Sequence, residues 1–483
     1  MLLKSGAWVF ASAGINQILR LLVVVILARL LTPEAFGIIA ISQIIISLSQ
    51  VVATFGIGSS LIKSEKLSPN IEGAALSIML IISFFIVIIL MGARNGLSEL
   101  LNVPELIEIM PIILISFIAS AAANPGRSLL VREMKYKLLA GIDIWSYVFG
   151  YMSVSVILAL NGMSYMSLIY GILAQSFIQL ACIFLYKPIK PNLALKNEAV
   201  ASLFHFGGGV FLTEILSSIS QKIDNIIVSI VFGVNTLGFY SRAFTLLDIV
   251  NNLFGKTFKI VLFSGASKAK RSNLESNNSS LFLSAYSFAA LLILPFAILI
   301  YFLSGELISI LLGPQWEPSV EILKILSIAV PLRLYYKVSG AFIMAEGRVY
   351  ELAFKHLIFT FLIGGGAFLG SFYGIKGVAW GIVLALLIQN IQITRLAMIC
   401  CEVKWLDLIN KLFPYHISAF LSLVVVELLV GWERWGGEII FVIITSFLFL
   451  LSYILILLFV FKGNIIYINN ILKMKSRLDG SRM

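Results

Sequence analysis

The chain reads as an all-α, polytopic membrane protein of about fourteen transmembrane helices. Three observations carry that reading. Hydrophobic residues make up 60% of the 483 and charged residues only 12%, against about 45–50% and about 25% in soluble globular chains. Apolar runs long enough to cross a bilayer core recur from end to end. Lys and Arg collect in every second connecting segment, as cytoplasmic loops do. A soluble enzyme, a nucleic-acid binder and a disordered scaffold are thereby excluded. A β-barrel is excluded too, since the runs are long and lack a ten-residue alternation.

The expected spans are 6–31, 38–62, 73–92, 109–130, 138–160, 164–186, 207–232, 237–262, 281–303, 321–345, 351–373, 376–400, 411–432 and 438–461. The first carries Lys4 ahead of an apolar stretch that Arg20 and Arg29 interrupt, with no clear cleavage site. It reads as a first helix and not as a removed signal peptide. Spans 73–92, 281–303 and 438–461, free of charge but for Glu438 at the edge of the last, are expected to face lipid. With the N-terminus inside, twenty Lys and Arg fall in inside segments and only Arg94, Lys376 and Arg434 outside. Both termini are therefore expected in the cytoplasm, and the net charge of +11 follows from the basic loops. The longest outside loop, 93–108, has sixteen residues, which leaves no room for a soluble domain.

The chain repeats weakly. Gly6 through Ile39 aligns with Gly207 through Tyr240 at an offset of 201 without a gap. Gly6 matches Gly207, Phe10 matches Phe211 and Gly37 matches Gly238; Tyr170-Gly171 is echoed by Trp380-Gly381. The matched helices start on the same side, so the repeat is parallel. Two six-helix lobes are implied, 1–190 and 191–402, with helices thirteen and fourteen and a basic tail added as 403–483.

The offset also aligns polar stripes. Ser12, Asn16 and Arg20 are spaced by four on helix one, with Gln17 beside them. Their equivalents are Thr213, Ser217, Gln221 and Ser218, and Glu214, Lys222, Asp224 and Asn225 extend that stripe. Helix eight continues it with Arg242, Thr245, Asp248, Asn252 and Lys256. Arg333 and Lys337 share a face of helix ten. Ionisable groups at membrane depth face a protein interior or a water-filled path. Arg20, Lys222, Arg242, Lys256, Arg333 and Lys337 are thus expected to line a cationic lumen, with Ser12, Asn16, Gln17, Ser217, Gln221 and Asn225 as its polar lining. Glu214, Asp224 and Asp248 are expected either to couple an ion or to pair with these cations. Hydrogen bonding within each lobe is the competing role for the stripes.

Other signals carry no chemistry. Cys182, Cys400 and Cys401 have neither disulfide nor zinc spacing, and His205, His356 and His416 are scattered. Gly255-Lys256-Thr257 resembles the end of a phosphate loop, but the upstream glycine position is Val250. The triplets Gly207-Gly208-Gly209 and Gly364-Gly365-Gly366 suit close packing or hinges. With no nucleophile elbow and no metal-spaced His/Glu pair, neither catalysis nor a cofactor is expected.

Ile26-Leu27-Ala28-Arg29-Leu30-Leu31-Thr32-Pro33-Glu34-Ala35-Phe36-Gly37 resembles the end of the first helix in bacterial polysaccharide exporters. So do Phe206-Gly207-Gly208-Gly209, Asp224-Asn225-Ile226-Ile227, Leu237-Gly238-Phe239-Tyr240-Ser241-Arg242-Ala243 and Leu130-Val131-Arg132-Glu133-Met134-Lys135-Tyr136. The family resembled is the Wzx-type oligosaccharide flippases, colanic-acid-exporter-like members included, within the multidrug/oligosaccharidyl-lipid/polysaccharide exporter superfamily. The likeness extends over essentially the whole chain. It implies alternating access by two rocking lobes, moving an undecaprenyl-pyrophosphate-linked oligosaccharide across the bacterial inner membrane. It also implies a cationic cavity, contact with membrane lipids, and a polysaccharide polymerase and chain-length regulator as partners. A multidrug antiporter is disfavoured because cations at membrane depth outnumber the interior acids Asp143, Glu214, Asp224, Asp248 and Glu427. A membrane polymerase would need a larger outside loop, whereas a lipid II flippase shares the fold and stays open.

Overall fold

The computed structural model describes residues 2–64, 68–192, 198–271, 278–430 and 437–460. Side chains are described for these except 2–13, 198–206, 209, 252–271, 349 and 460. Among the described residues there is no strand. The chain runs through α1 (Leu2–Leu30), α2 (Pro33–Thr54), α3 (Ile57–Lys63), α4 (Pro69–Leu101), α5 (Leu106–Arg132) and α6 (Tyr136–Trp145). A π-helical turn, Ser146–Met152, leads into α7 (Ser153–Leu160), α8 (Ser164–Tyr186), α9 (Glu198–Ser220) and α10 (Ile223–Arg271). Then come α11 (Asn278–Phe302), α12 (Ser304–Leu311), α13 (Ser319–Ser327) and α14 (Ala329–Ala345). The last four are α15 (Val349–Ser371), α16 (Gly374–Cys400), α17 (Trp405–Val430) and α18 (Glu438–Val460).

Eleven helical stretches among the described residues are long and apolar enough to cross a membrane, against the fourteen spans expected. The difference lies in three places. Helix α1 forms, but the side chains of its first turns lie outside the description. The spans expected at 207–232 and 237–262 fall in one apolar stretch, Val210–Asn251, within which Gly233, non-helical at φ 76° and ψ 175°, kinks the chain between two helical segments. The span expected at 321–345 is split at Ile328, where Pro331 in the first turn of α14 withholds a backbone donor. The expected loop 93–108 is also mostly helical: α4 runs on to Leu101 and α5 starts at Leu106. At 33 residues, α4 is about 50 Å long, well beyond the hydrocarbon core.

Local chemistry sets the ends. Pro33 and Pro69 open α2 and α4 behind Thr32 and Ser68, whose hydroxyls accept from Ala35 N and Ile71 N. Phe55 and Gly56, both left-handed at φ 39° and 67°, break α2 from α3. A Cβ on Gly56 would lie 2.3 Å from the Gly207 carbonyl oxygen.

Two compact units are present: Met1–Arg242 with Ile363–Val378, and Ala243–Leu362 with Ala379–Met483. In the first, α5 packs against α2, α3, α4 and α8 through buried small residues such as Ser116, Ala119, Ala123 and Gly126. A Cβ on Gly37 would sit 1.8 Å from the Val234 carbonyl oxygen, and one on Gly238 would sit 1.9 Å from that of Pro33. Positions 33 and 37 correspond to 234 and 238 at the repeat offset, so each repeat presents to the other the same surface that it receives. That reciprocity is the mark of a local twofold contact. In the second unit, α11 packs against α13, α14, α17 and α18. Its Tyr286 hydroxyl joins Ser339 and Thr394 at 2.6 and 2.7 Å in a buried hydroxyl cluster.

Candidate functional site

A cavity of about 520 Å³ opens within the first unit. One wall is α2, with Gln43, Ser47 and Gln50; the facing wall is α5, with Ser120, Asn124 and Arg127. Both triplets have the i, i+4, i+7 spacing that puts them on one helix face. Gln179 of α8 and Lys222 complete the polar lining. Lys222 was expected in mid-span but stands at the break between α9, which ends at Ser220, and α10, which starts at Ile223.

Arg127 is already engaged. Its Nη1 and Nη2 donate to the two carboxylate oxygens of Asp143 at 2.6 and 2.8 Å, and Gln179 Nε2 donates to the same group at 3.2 Å. The fork fixes the guanidinium in the wall. Lys222 forms no ion pair among the described residues, which leaves an uncompensated positive charge facing a lining of amides and hydroxyls. Such a lining can replace water around a polyhydroxylated, anionic solute.

A second cluster lies on α1, the π-helical turn and α10. Arg20 is exposed and Asn16 and Gln17 are half-buried on α1, which packs on α6 and α7. Tyr147 and Tyr151 stack with ring centroids 5.4 Å apart at 24°, and both feel the charges of Arg20 and Arg242. Arg242 is 8% exposed, lies 4.6 Å from the Phe36 ring centroid and keeps a buried Nε without a hydrogen-bond partner. No carboxylate neutralises it among the described residues.

The remaining expected residues are placed as follows. Gln221 donates to the Ser217 hydroxyl and carbonyl at 2.9 and 3.1 Å, both side chains being exposed. Asn225, buried, donates to Asp224 at 3.0 Å, and the other Asp224 oxygen accepts from Tyr240 at 2.8 Å. Asp224 therefore has neutral partners and no cation among the described residues. Glu214 is exposed on α9. In the second unit Arg333 is tied to Asp248 at 3.1 Å and stacks on Phe244 at 4.3 Å; Lys337 is half-buried one turn on. Ser12 and Lys256 lie outside the residues whose side chains are described.

Gln43, Ser47, Gln50, Ser120, Asn124 and Gln179 escaped the sequence reading, as did the tyrosine pair. The signal existed in the two i, i+4, i+7 polar triplets, but they lie in spans outside the aligned repeat stretch.

A family model described as polysaccharide biosynthesis protein matches residues 26–321. The chain is 23% identical over 403 residues to lipopolysaccharide biosynthesis protein WzxC of Escherichia coli (strain K12), covering 80% of this chain and 79% of that one. It is 23% identical over 360 residues to teichuronic acid biosynthesis protein TuaB of Bacillus subtilis (strain 168), covering 73% of each. Among solved structures, the lipid II flippase MurJ in an inward closed conformation matches with a TM-score of 0.79 at 17% identity, covering 96% of this chain and 100% of that one. That likeness shows the fold.

Proposed function

The chain belongs to the polysaccharide biosynthesis protein family, and on that premise we propose that it is a flippase for lipid-linked oligosaccharides in surface polysaccharide synthesis. It is a multi-pass membrane protein, and the proposal places it in the bacterial inner membrane with both termini in the cytoplasm. The headgroup to be moved, sugars on a pyrophosphate, cannot enter hydrocarbon without losing its hydration. The lobes 1–190 and 191–402 are proposed to open alternately around it, while the lipid tail stays in the bilayer. A polymerase and a chain-length regulator are the proposed downstream partners.

One observation carries the reading: cations at membrane depth without carboxylate partners. An arginine near a helix centre costs about 2.5–3.5 kcal/mol on insertion scales. Arg242 bears that cost while buried, with no acid beside it among the described residues. A transient anionic ligand supplies the missing partner, and two arginines suit a pyrophosphate better than lysines because each guanidinium can bind two oxygens. Arg20, Lys222 and Arg242 are therefore the proposed substrate contacts, whereas Arg333 is held by Asp248.

Deleting the gene tests the proposal. Cells should lose one surface polysaccharide and retain its lipid-linked repeat unit on the cytoplasmic leaflet. Repeat units accumulating unpolymerised in the periplasm would identify a polymerase and overturn the reading.

A further inference from the structure

We propose that Tyr147 and Tyr151 form a stacking platform for a sugar ring, beside Arg20 and Arg242, so that this cluster receives the glycosyl-diphosphate end of the substrate. The inference rests on the flippase reading and adds a subsite for the first sugar. Two surfaces of the same segment separate by environment. Trp145 and Phe149 also stack, at 4.8 Å and 9°, but they are 60% and 52% exposed, as a lipid-facing pair would be. Tyr147 and Tyr151 are half-buried, between α6 and α7, the two helices against which α1, the helix of Arg20, packs.

That side is wet. Arg20 lies ten residues before the end of α1, about 15 Å along the axis, and its side chain is exposed. An exposed guanidinium at such depth faces water or a polar solute and not acyl chains. The π-helical turn supplies the platform: its wider winding presents residues i and i+4 nearly one above the other, and such turns recur at functional sites. Its position is fixed from behind. A Cβ on Gly150 would lie 2.5 Å from Gln175 Cα, and one on Gly171 would lie 1.9 Å from the Ser155 hydroxyl. The rod of α6, the π turn and α7 is thus seated closely on α8, and the tyrosines cannot recede. The apolar C–H face of a pyranose can cover the rings, while Arg242, its Nε unsatisfied, and Arg20 take diphosphate oxygens.

Equilibrium binding to the purified full-length protein in nanodiscs tests this with two probes, farnesyl diphosphate and the same diphosphate carrying one hexose, glucose or galactose. In the unaltered protein a hexose should tighten binding about fivefold to tenfold. The paired change Tyr147→Ala/Tyr151→Ala should erase that gain and leave the affinity for farnesyl diphosphate unchanged. Tyr147→Phe/Tyr151→Phe should keep it, and Tyr147→Leu/Tyr151→Leu, which preserves apolar bulk without a ring, should lose it even if the alanine pair fails to fold. Arg242→Gln should weaken both probes alike. The platform is refuted if neither hexose tightens binding to the unaltered protein, or if the leucine pair retains the gain. Failure of the unaltered protein to bind either diphosphate overturns the flippase reading itself.

Discussion

Arg127 and Arg242 show how the same side chain takes opposite roles in two apolar helices. Arg127 has a bidentate carboxylate and an amide behind it; Arg242 has, among the described residues, an aromatic face and no carboxylate. Asp143→Asn should therefore destabilise the protein by about 1–3 kcal/mol, the range for hydrogen bonds to charged groups, read as a lower melting temperature in detergent. Asp143→Asn combined with Arg127→Gln should recover part of that loss, since no charge is then stranded. Arg20→Ala should do the reverse: normal membrane abundance and lost polysaccharide export, because its stripe of Asn16 and Gln17 holds no acid. At the membrane surface, Lys135 and Lys187 hold the Glu133 carboxyl below its ordinary value of 4.5, and Glu133 in turn raises Lys187. Glu133 thus stabilises the fold above the ordinary carboxylate range and loses that contribution as pH falls through its lowered value. The effect is small, below about 1 kcal/mol for such exposed pairs, and Glu133→Gln should remove it from an acid melting series. Asp143 stood out in the sequence as an interior acid, but its pairing with Arg127, sixteen residues away on another helix, did not, since that depends on how helices pack.

Helix positions were legible because apolar length is a one-dimensional property. Breaks were not, because they are set by neighbours. The step at Phe55 and Gly56 exists where Gly207 leaves no room for a side chain. The π turn at 146–152 has no proline or glycine pair to announce it, although Gly150 marks where α8 comes close. Polar triplets were readable as faces, yet nothing in the chain's order says that the face of α2 meets the face of α5. At this scale the sharpest test is the reciprocal glycine contact. Gly37→Ala or Gly238→Ala places a methyl within 2 Å of a carbonyl oxygen, so the helix starts must separate. Either change should abolish export and expose a cysteine introduced at Val234 to a membrane-impermeant reagent, with Ala at both positions no worse in labelling than either alone.

For the whole molecule, the 20:3 partition of Lys and Arg makes the topology testable. In a variant lacking Cys182, Cys400 and Cys401, cysteines at Asn161 and Glu402, in turns at opposite ends of their helices, should label from the outside and the inside respectively; labelling of both from one side would refute the arrangement. The sequence aligned Gly37 with Gly238, but not the contact each makes: each glycine meets a backbone carbonyl oxygen, of Val234 and of Pro33, and which carbonyl a helix meets depends on packing. That contact has a consequence in time. The carbonyl of Pro33 emerges from the ribosome 205 residues before Gly238, which is to cover it. At about 5–20 residues per second, the first hairpin waits roughly 10–40 s in the bilayer with its outer turn bare. During that interval α2 relies on its caps at Thr32 and Phe55, and both helices on their own apolar length. Biogenesis thus contains a built-in pause, and the second half of the chain acts as the delayed closure of the first.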